Sequence, residues 1–216
     1  MLDYLLQLDQ QWLLAINGAH APWADTLMWH VSQSATWLPL YAVMLVLLWY
    51  HIPITNEKKA PYIYARIATF ALFILMFAVA VGGADLICAR IIKPLVARPR
   101  PTHDMAIGSL VHIVNGYTGG AYGFCSNHAA NTMATALLFC LIYLPNKNWI
   151  VRTCVIVPLL LWVLINCYSR IYLGVHYPLD ILAGLTVGIL TALVAWGVPL
   201  RFFARQSKRA SSAAEE

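Results

Sequence analysis

Five stretches of this chain, residues 35–50, 65–89, 129–144, 150–168 and 179–200, are long, apolar and almost free of charge. Crossing the hydrocarbon core of a bilayer takes about 20 residues of helix, within a range of roughly 17–25. The shortest stretch reaches that length with Ser32 to Ser34 and His51. In lipid every backbone N–H and C=O has to be satisfied inside the protein, so only helices and closed barrels span. The polar–apolar alternation of barrel strands is absent. The fold class that follows is all-α: a polytopic helical membrane protein with five to six transmembrane helices in one bundle. With 61% hydrophobic and 11% charged residues over 216 positions, the composition argues against a soluble domain. The net charge of +5, which would suggest nucleic acid in a soluble protein, has a membrane explanation.

The amino-terminal residues read differently. Leu2, Leu5, Leu6, Leu8, Trp12, Leu13 and Ile16 recur at helical spacing among Asp3, Gln7, Asp9 and Gln10, a pattern that suits an interfacial amphipathic helix. An additional span is the other reading that periodicity leaves open. No basic segment of the kind that opens a secretory signal is visible. The expected organisation is therefore an amphipathic helix and lead-in segment over residues 1–34, a transmembrane domain over 35–203 and a disordered cytoplasmic tail over 204–216. Five scattered cysteines show no metal-ligand spacing, and four of them read as small buried hydrophobes.

Basic residues in short loops gather on the cytoplasmic side and orient such a bundle. Lys58, Lys59 and Arg66 flank the start of the second stretch, Arg152 lies at the start of the fourth, and Arg201, Arg205, Lys208 and Arg209 follow the fifth. Alternating spans put these groups on one side. The opposite face then holds the amino-terminal helix, residues 90–128 and residues 169–178, including Arg90, Lys93, Arg98, Arg100 and Arg170. Snorkelling to headgroups accounts for one or two such cations. It does not account for three motif regions sharing that face.

Ionisable groups beside hydrocarbon are costly, roughly 2.5–3.5 kcal/mol for a central Asp, Lys or Arg, and are read first as functional. Residues 93–101 run Lys-Pro-Leu-Val-Ala-Arg-Pro-Arg-Pro. Pro94, Pro99 and Pro101 are expected to end the preceding helix and stiffen an extended exit. From that exit Lys93 and Arg100 can be aimed at phosphate oxygens. Residues 124–128, Phe-Cys-Ser-Asn-His, enter a helix beginning near Ala129, whose first N–H groups favour an anion. Ser126 adds a hydroxyl there, and His128 has the titration range needed to protonate a leaving oxygen. His176 and Asp180 are four apart, which a helical turn places on one face. A carboxylate bonded to one ring nitrogen leaves the other free to attack. Asp85 lies in an apolar span about two turns before Lys93; pairing with Arg90, positioning a catalytic cation and plain helix packing all remain open for it. The glycines of residues 116–123 permit close backbone approach or an adaptable cover over a headgroup. His103 and Asp104 read first as a solvated loop, with contact to a headgroup as the other reading, and His20 and His112 have no motif around them.

Taken in order, Lys-x6-Arg-Pro (Lys93, Arg100, Pro101), Ser-x-His (Ser126, His128) and Ser-Arg-x5-His-x3-Asp (Ser169, Arg170, His176, Asp180) resemble the type-2 phosphatidic acid phosphatase superfamily. The resemblance covers residues of roughly 60–200 and implies an integral-membrane enzyme that dephosphorylates lipids without metal or other cofactor. It also implies a fold shared with vanadium haloperoxidases and bacterial acid phosphatases. Carried onto these positions, it implies that His176 is the nucleophile, oriented by Asp180, and that His128 is the proton donor and later the base. Lys93, Arg100, Arg170, Ser126 and the Asn127 backbone N–H would hold the phosphoryl oxygens. Outside that pattern, Arg98 and Asp85 read as possible supports. Two positions depart from the family pattern: Cys125 stands where it usually shows Pro, and Asn127 where it usually shows Gly. The family is commonly described with six spans, against five here plus the amino-terminal helix.

The expected activity is metal-independent hydrolysis of a lipid phosphate or diphosphate through a phosphohistidine. Undecaprenyl diphosphate ranks first as substrate, then lipid A 1-phosphate, phosphatidylglycerol phosphate and phosphatidate. The expected partners are the lipid substrate and the bilayer, with no nucleic acid. The expected place is a bacterial cytoplasmic (inner) membrane, with the site on its periplasmic or outer face. The alternatives are a lipid phosphotransferase of the same fold and an anion transporter; the latter calls for polar residues along several spans, whereas this chain keeps its charges at one end.

Overall fold

The computed structural model describes residues 2–52 and 60–213, so Lys58 and Lys59, on which the orientation partly rests, lie outside the described residues. The helices are α1 (Leu2–Gly18), α2 (Pro22–Ser32), α3 (Leu38–His51), α4 (Ala60–Leu86), α5 (Lys93–Val96), α6 (Asn127–Tyr143), α7 (Trp149–Tyr172) and α8 (Pro178–Ala213). Four described segments, Ser34–His51, Ile63–Val96, Trp149–Tyr172 and Pro178–Gly197, are long and apolar enough to cross a membrane. With α6, whose 17 residues sit at the lower end of a spanning length, these are the five expected spans. The final helix runs on to Ala213, into the segment expected to be a disordered tail.

The second span does not end at Pro94. A π-helical turn over Ile87–Ile92 joins α4 to α5, which continues through Lys93 and Pro94 to Val96. A proline is tolerated at the first turn of a helix because the N–H it lacks has no partner there, and the wide turn makes Lys93 such a start. The chain leaves the helix at Ala97, which takes a left-handed φ of 48°.

The bundle closes around α6, which packs against α3, α4, α7 and α8. Its interior face is small: Ala129, Ala130 and Ala134 are fully buried. Opposite them, a Cβ on Gly184 would come within 2.4 Å of the Ser126 carbonyl oxygen, and one on Gly188 within 2.3 Å of that of Ala130. Without an apolar driving force between helices in lipid, such close backbone approach is what packs them. This contact seats the start of α8 against the start of α6.

The amino-terminal helix is docked rather than lying free. Asp9, Leu13 and Asn17, spaced by four, form its buried stripe, while Tyr4, Leu5, Leu6 and Trp12 face outward. Asn17 donates to the carbonyls of His112 (2.9 Å) and Tyr172 (2.7 Å) and accepts from the His112 N–H (2.8 Å). Two polar residues of that stripe, Asp9 and Asn17, are thus turned inward and bonded to protein beside the core residue Leu13, while exposed apolar side chains share the outer side with Gln7 and Gln11.

Candidate active site

The nucleophile candidate lies in the turn between α7 and α8. His176 is 2% exposed, and Asp180, in the first turn of α8, is fully buried. Asp180 Oδ2 lies 3.4 Å from His176 Nδ1 and accepts the Tyr177 N–H at 3.0 Å. That contact leaves Nε2 as the free ring nitrogen. Burial, then Arg100, Arg170 and Lys93, push the His176 pKa well below the ordinary histidine value, against the opposing Gly123 carbonyl. A neutral ring is the state in which the nitrogen can attack.

Behind Asp180 stands a second carboxylate. Arg98 donates to Asp180 Oδ1 at 3.0 Å and to Asp9 Oδ2 at 2.7 Å, and its guanidinium lies 3.9 Å from the centre of the Tyr177 ring. Asp9 Oδ1 accepts the Leu179 N–H at 2.8 Å, so α1 grips both Arg98 and the start of α8. Tyr177 in turn donates its hydroxyl to Asp104 at 2.7 Å, which takes Asp104 out of the solvated loop expected for it.

The side expected to hold phosphate is built from cations with unused donors. Arg100 and Arg170 are both buried, and Arg100 Nη1 and Arg170 Nε have no protein partner. Arg100 Nε donates to the Tyr122 carbonyl at 3.2 Å, and Arg170 Nη2 donates to the Tyr117 hydroxyl at 3.1 Å. Burying unpaired cationic donors is costly, and an oxyanion is the partner that suits their geometry. The glycine-rich segment is fastened to the stretch that carries Arg98 and Arg100 instead of forming an adaptable cover. The Arg100 N–H donates to the Ala121 carbonyl at 3.1 Å and the Gly123 N–H to that of Arg98 at 2.9 Å. Gly119, at φ +69°, passes so close that a Cβ there would lie 2.3 Å from Arg100 Nη1. Only glycine suits both that φ and that approach.

Ser126 caps α6: its Oγ lies 3.5 Å from the Ala129 N–H, and its own N–H donates to the Asp180 carbonyl at 3.0 Å. Accepting in this way leaves the hydroxyl proton free to donate. Asn127 is the first residue of α6 and bridges two charges. Lys93 Nζ donates to Asn127 Oδ1, and Asn127 Nδ2 donates to Asp85 Oδ1 at 2.6 Å. Of the readings open for Asp85, positioning a cation is the one this contact favours, since it reaches Lys93 through Asn127. His128 follows in the same turn and opens onto a cavity of about 570 Å³ between α3, α4 and α6. Cys125 sets its sulfur 2.8 Å from that of Cys88, both as free thiols in the interior.

The structure therefore brings His128, His176, Asp180, Lys93, Arg100, Arg170, Ser126 and Asn127 to one end of the bundle, where α4, α6, α7 and α8 begin or finish. Sequence reasoning missed Asp9, Tyr117 and Tyr177. Asp9 was visible only as one polar residue in an amphipathic stretch, and its Arg98 partner is 89 positions away. Tyr117 sat inside a glycine run that drew attention to itself. His20 and His112 also acquire a setting. His112 Nε2 lies 3.0 Å from Asp25 Oδ2, Tyr172 donates to the other oxygen of Asp25 at 2.6 Å, and the His20 ring stacks on His112 at 3.7 Å. This cluster braces α2 against α7.

A family model described as the PAP2 superfamily matches residues 68–204. A lipid A 4'-phosphatase of Bacteroides thetaiotaomicron is 35% identical over 189 residues, spanning 87% of this chain and 75% of that protein. The undecaprenyl-diphosphatase BcrC of Bacillus subtilis is 27% identical over 179 residues, 82% of this chain and 76% of that one. Among solved structures, a transmembrane PAP2-type phosphatidylglycerolphosphate phosphatase from Bacillus subtilis superposes with a TM-score of 0.62 at 20% identity, covering 92% of this chain and 87% of that one. That likeness is one of fold.

Proposed function

The chain belongs to the PAP2 superfamily and is a membrane lipid phosphatase, and from that premise we propose that it removes a phosphate from an acylated glycolipid of the lipid A kind through a phosphohistidine. The observation that carries the mechanism is the buried His176–Asp180 pair set among cations whose N–H groups lack protein partners. His176 Nε2 attacks phosphorus while the bond to the lipid oxygen breaks, and His128 gives that oxygen its proton. His128 then takes a proton from water, which attacks phosphorus, breaks the P–N bond and releases inorganic phosphate. Arg100, Arg170, Lys93 and the Ser126 hydroxyl hold the three equatorial oxygens, where phosphoryl transfer gathers its charge. Asp180 keeps the ring oriented and Arg98 keeps Asp180 in place.

The lipid A relative, more similar to this chain than the undecaprenyl-diphosphatase, supports moving a lipid A-type substrate ahead of undecaprenyl diphosphate. The latter stands as the second reading, on the strength of the BcrC relative. The location favoured is the outer face of a bacterial cytoplasmic membrane, because the site lies at the bundle end away from Arg66 and Arg152.

The test is phosphate release by detergent-purified protein from lipid A and from undecaprenyl diphosphate, with chelator present and no lipid acceptor. The parent is expected to release phosphate from lipid A at the higher kcat/KM, and His176→Ala to lose at least about 10⁴-fold in kcat. Undiminished release by that variant overturns the mechanism. Release that requires a lipid acceptor identifies a phosphotransferase, and release that requires added divalent metal identifies another chemistry.

A further inference from the structure

Of the five cysteines, Cys88 and Cys125 alone bring their sulfurs together among the described residues, across 37 positions of chain. Cys88 sits in the π-helical turn that leads into Lys93, and Cys125 immediately precedes Ser126. Both are 0% exposed, in a small core with Ala84 and Ala130 against which Ile92, Phe124, Ala183 and Val187 pack. That core joins the two segments carrying groups expected to meet phosphate: Lys93 on one, Ser126 and Asn127 on the other.

A free cysteine commonly serves as a small buried hydrophobe. Cys140 on α6 and Cys154 and Cys167 on α7 fit that use, since none of them meets another sulfur. Cys88 and Cys125 differ in two respects. Their sulfurs are in contact, and they stand at the bundle end proposed above to face the outer compartment, where disulfides form and persist. Cys125 also occupies the position where the family pattern usually shows proline. Proline restrains a loop through its fixed φ; a covalent tether restrains the same loop by another route.

We infer that Cys88 and Cys125 form a disulfide in the mature protein, tethering the turn before Lys93 to the loop before Ser126. The inference rests on the outer-face location proposed above. The oxidant is a disulfide-bearing protein of that compartment, acting by thiol–disulfide exchange. One cysteine thiolate attacks the donor's S–S bond to give a mixed disulfide, and the second displaces the donor sulfur. The Cys88–Cys125 bond forms, the donor's bond breaks, and the donor leaves as two thiols with both electrons and both protons. Because neither sulfur is exposed in the closed bundle, exchange precedes the packing of α4 against α6, and the finished bond is then sheltered from reductants. The tether fixes backbone; Lys93 Nζ, beyond it, keeps the freedom of its own side chain.

The experiment counts thiols in the full chain, expressed in a bacterial host and purified in detergent without reductant. The protein is unfolded, alkylated and weighed by mass spectrometry. Three labelled cysteines, rising to five after reduction, is the expected result, and Cys88→Ala should show four under both conditions. Closing a loop of this length restricts the unfolded chain, so Cys88→Ala and Cys125→Ala should each melt roughly 5–15 °C below the parent. The double variant should melt little lower than either, because one change already breaks the bond. Five labelled cysteines without reduction overturn the inference, as does a count of two in unreduced Cys88→Ala, which puts the bond elsewhere. Location is read separately from the fully exposed Met105. Met105→Cys, on the Cys88→Ala, Cys125→Ala background, is treated in spheroplasts with a membrane-impermeant maleimide. Labelling there together with five free thiols in the parent overturns the disulfide and keeps the outer-face reading. No labelling overturns the outer-face reading, whatever the thiol count.

Discussion

Two supports hold the proposed catalytic groups, and they are built on opposite principles. On one side Asp9, Arg98 and Asp180 alternate in charge behind His176. On the other, Asp85 reaches Lys93 through the neutral amide of Asn127. In the first support the carboxylate side chains of Asp9 and Asp180 are 1% and 0% exposed and that of Arg98 is 17%. Its members come from α1, the loop after α5 and α8. The second sits at the rim of the cavity, where water can replace a lost contact. Removing one partner of a buried pair leaves an uncompensated charge and costs about 3–5 kcal/mol, whereas a hydrogen bond from a neutral amide to a charged group contributes at most about 1.5–3 kcal/mol net, and less where water can take its place. The difference teaches that the ring proposed to attack is held rigidly, while one of the cations proposed to meet the phosphate stays adjustable.

Breaking the first support at its catalytic end should have the largest effect. Asp180→Asn removes the carboxylate from His176 Nδ1 and one of the two carboxylates of Arg98. It is expected to lower kcat by about 10³–10⁴, the scale on which a misoriented catalytic histidine fails, with a much smaller change in KM. Steady-state kinetics on lipid A checks this, and a kcat within tenfold of the parent would mean that Asp180 does not orient the ring.

Next in size is the far end of the same support. Asp9→Asn leaves Arg98 with Asp180 alone and is expected to destabilise the protein by about 3 kcal/mol, near the lower end for a buried pair because Arg98 is partly exposed. The apparent melting temperature in detergent should fall by several degrees, and kcat should fall while KM holds. If Asp9→Asn melts with the parent, α1 is a lipid-facing appendage and the comparison collapses.

Asn127→Gly restores the residue usual in the resembling family and cuts the second support. It should raise KM roughly two- to tenfold, the value of about one hydrogen bond, with kcat and melting temperature close to the parent. A variant that melts as early as Asp9→Asn would show the two supports to be equivalent.

The same contrast explains what could be read from the chain. The five spans follow from runs of apolar side chains, and Lys93, Arg100, His128, Arg170, His176 and Asp180 stand out because three short motifs, each weak alone, occur in one order that resembles a known family pattern. Asp9 could not be read, since its meaning depends on Arg98 and Leu179, separated from it by 89 and 170 positions. The passage of the helix through Pro94 was hidden for another reason. A π-helical turn leaves no periodic mark over Ile87–Ile92, so the proline read as a stop. The polar residues that α6 turns to the cavity are hidden inside a segment read as apolar and almost free of charge, where Asn131, Thr132 and Thr135 are outnumbered by their neighbours.

The smallest expected effect separates the supports by pH. His176 has a folded-state pKa below the ordinary 6.5, owing first to burial and then to Arg100, Arg170 and Lys93. The unfolded chain therefore binds a proton that the folded one refuses, so this stability is present above about pH 6.5 and is lost as pH falls, by at most about 1.4 kcal/mol per unit. Asp9 runs the other way. Burial raises its pKa above 3.8 despite the Leu179 N–H and Arg98, so the folded state takes up that proton first and gains stability as pH falls through the raised value. Melting curves followed downward from about pH 7 should then flatten below about pH 6.5 in His176→Gln, and steepen in Asp9→Asn over the range in which the Asp9 carboxyl takes up its proton. Asn127→Gly, which removes no titrating group, should run parallel to the parent. An Asn127→Gly curve that diverges from the parent as strongly as that of Asp9→Asn would show that the amide bridge carries charge-dependent stability, and the line drawn between a rigid and an adjustable support would fail there.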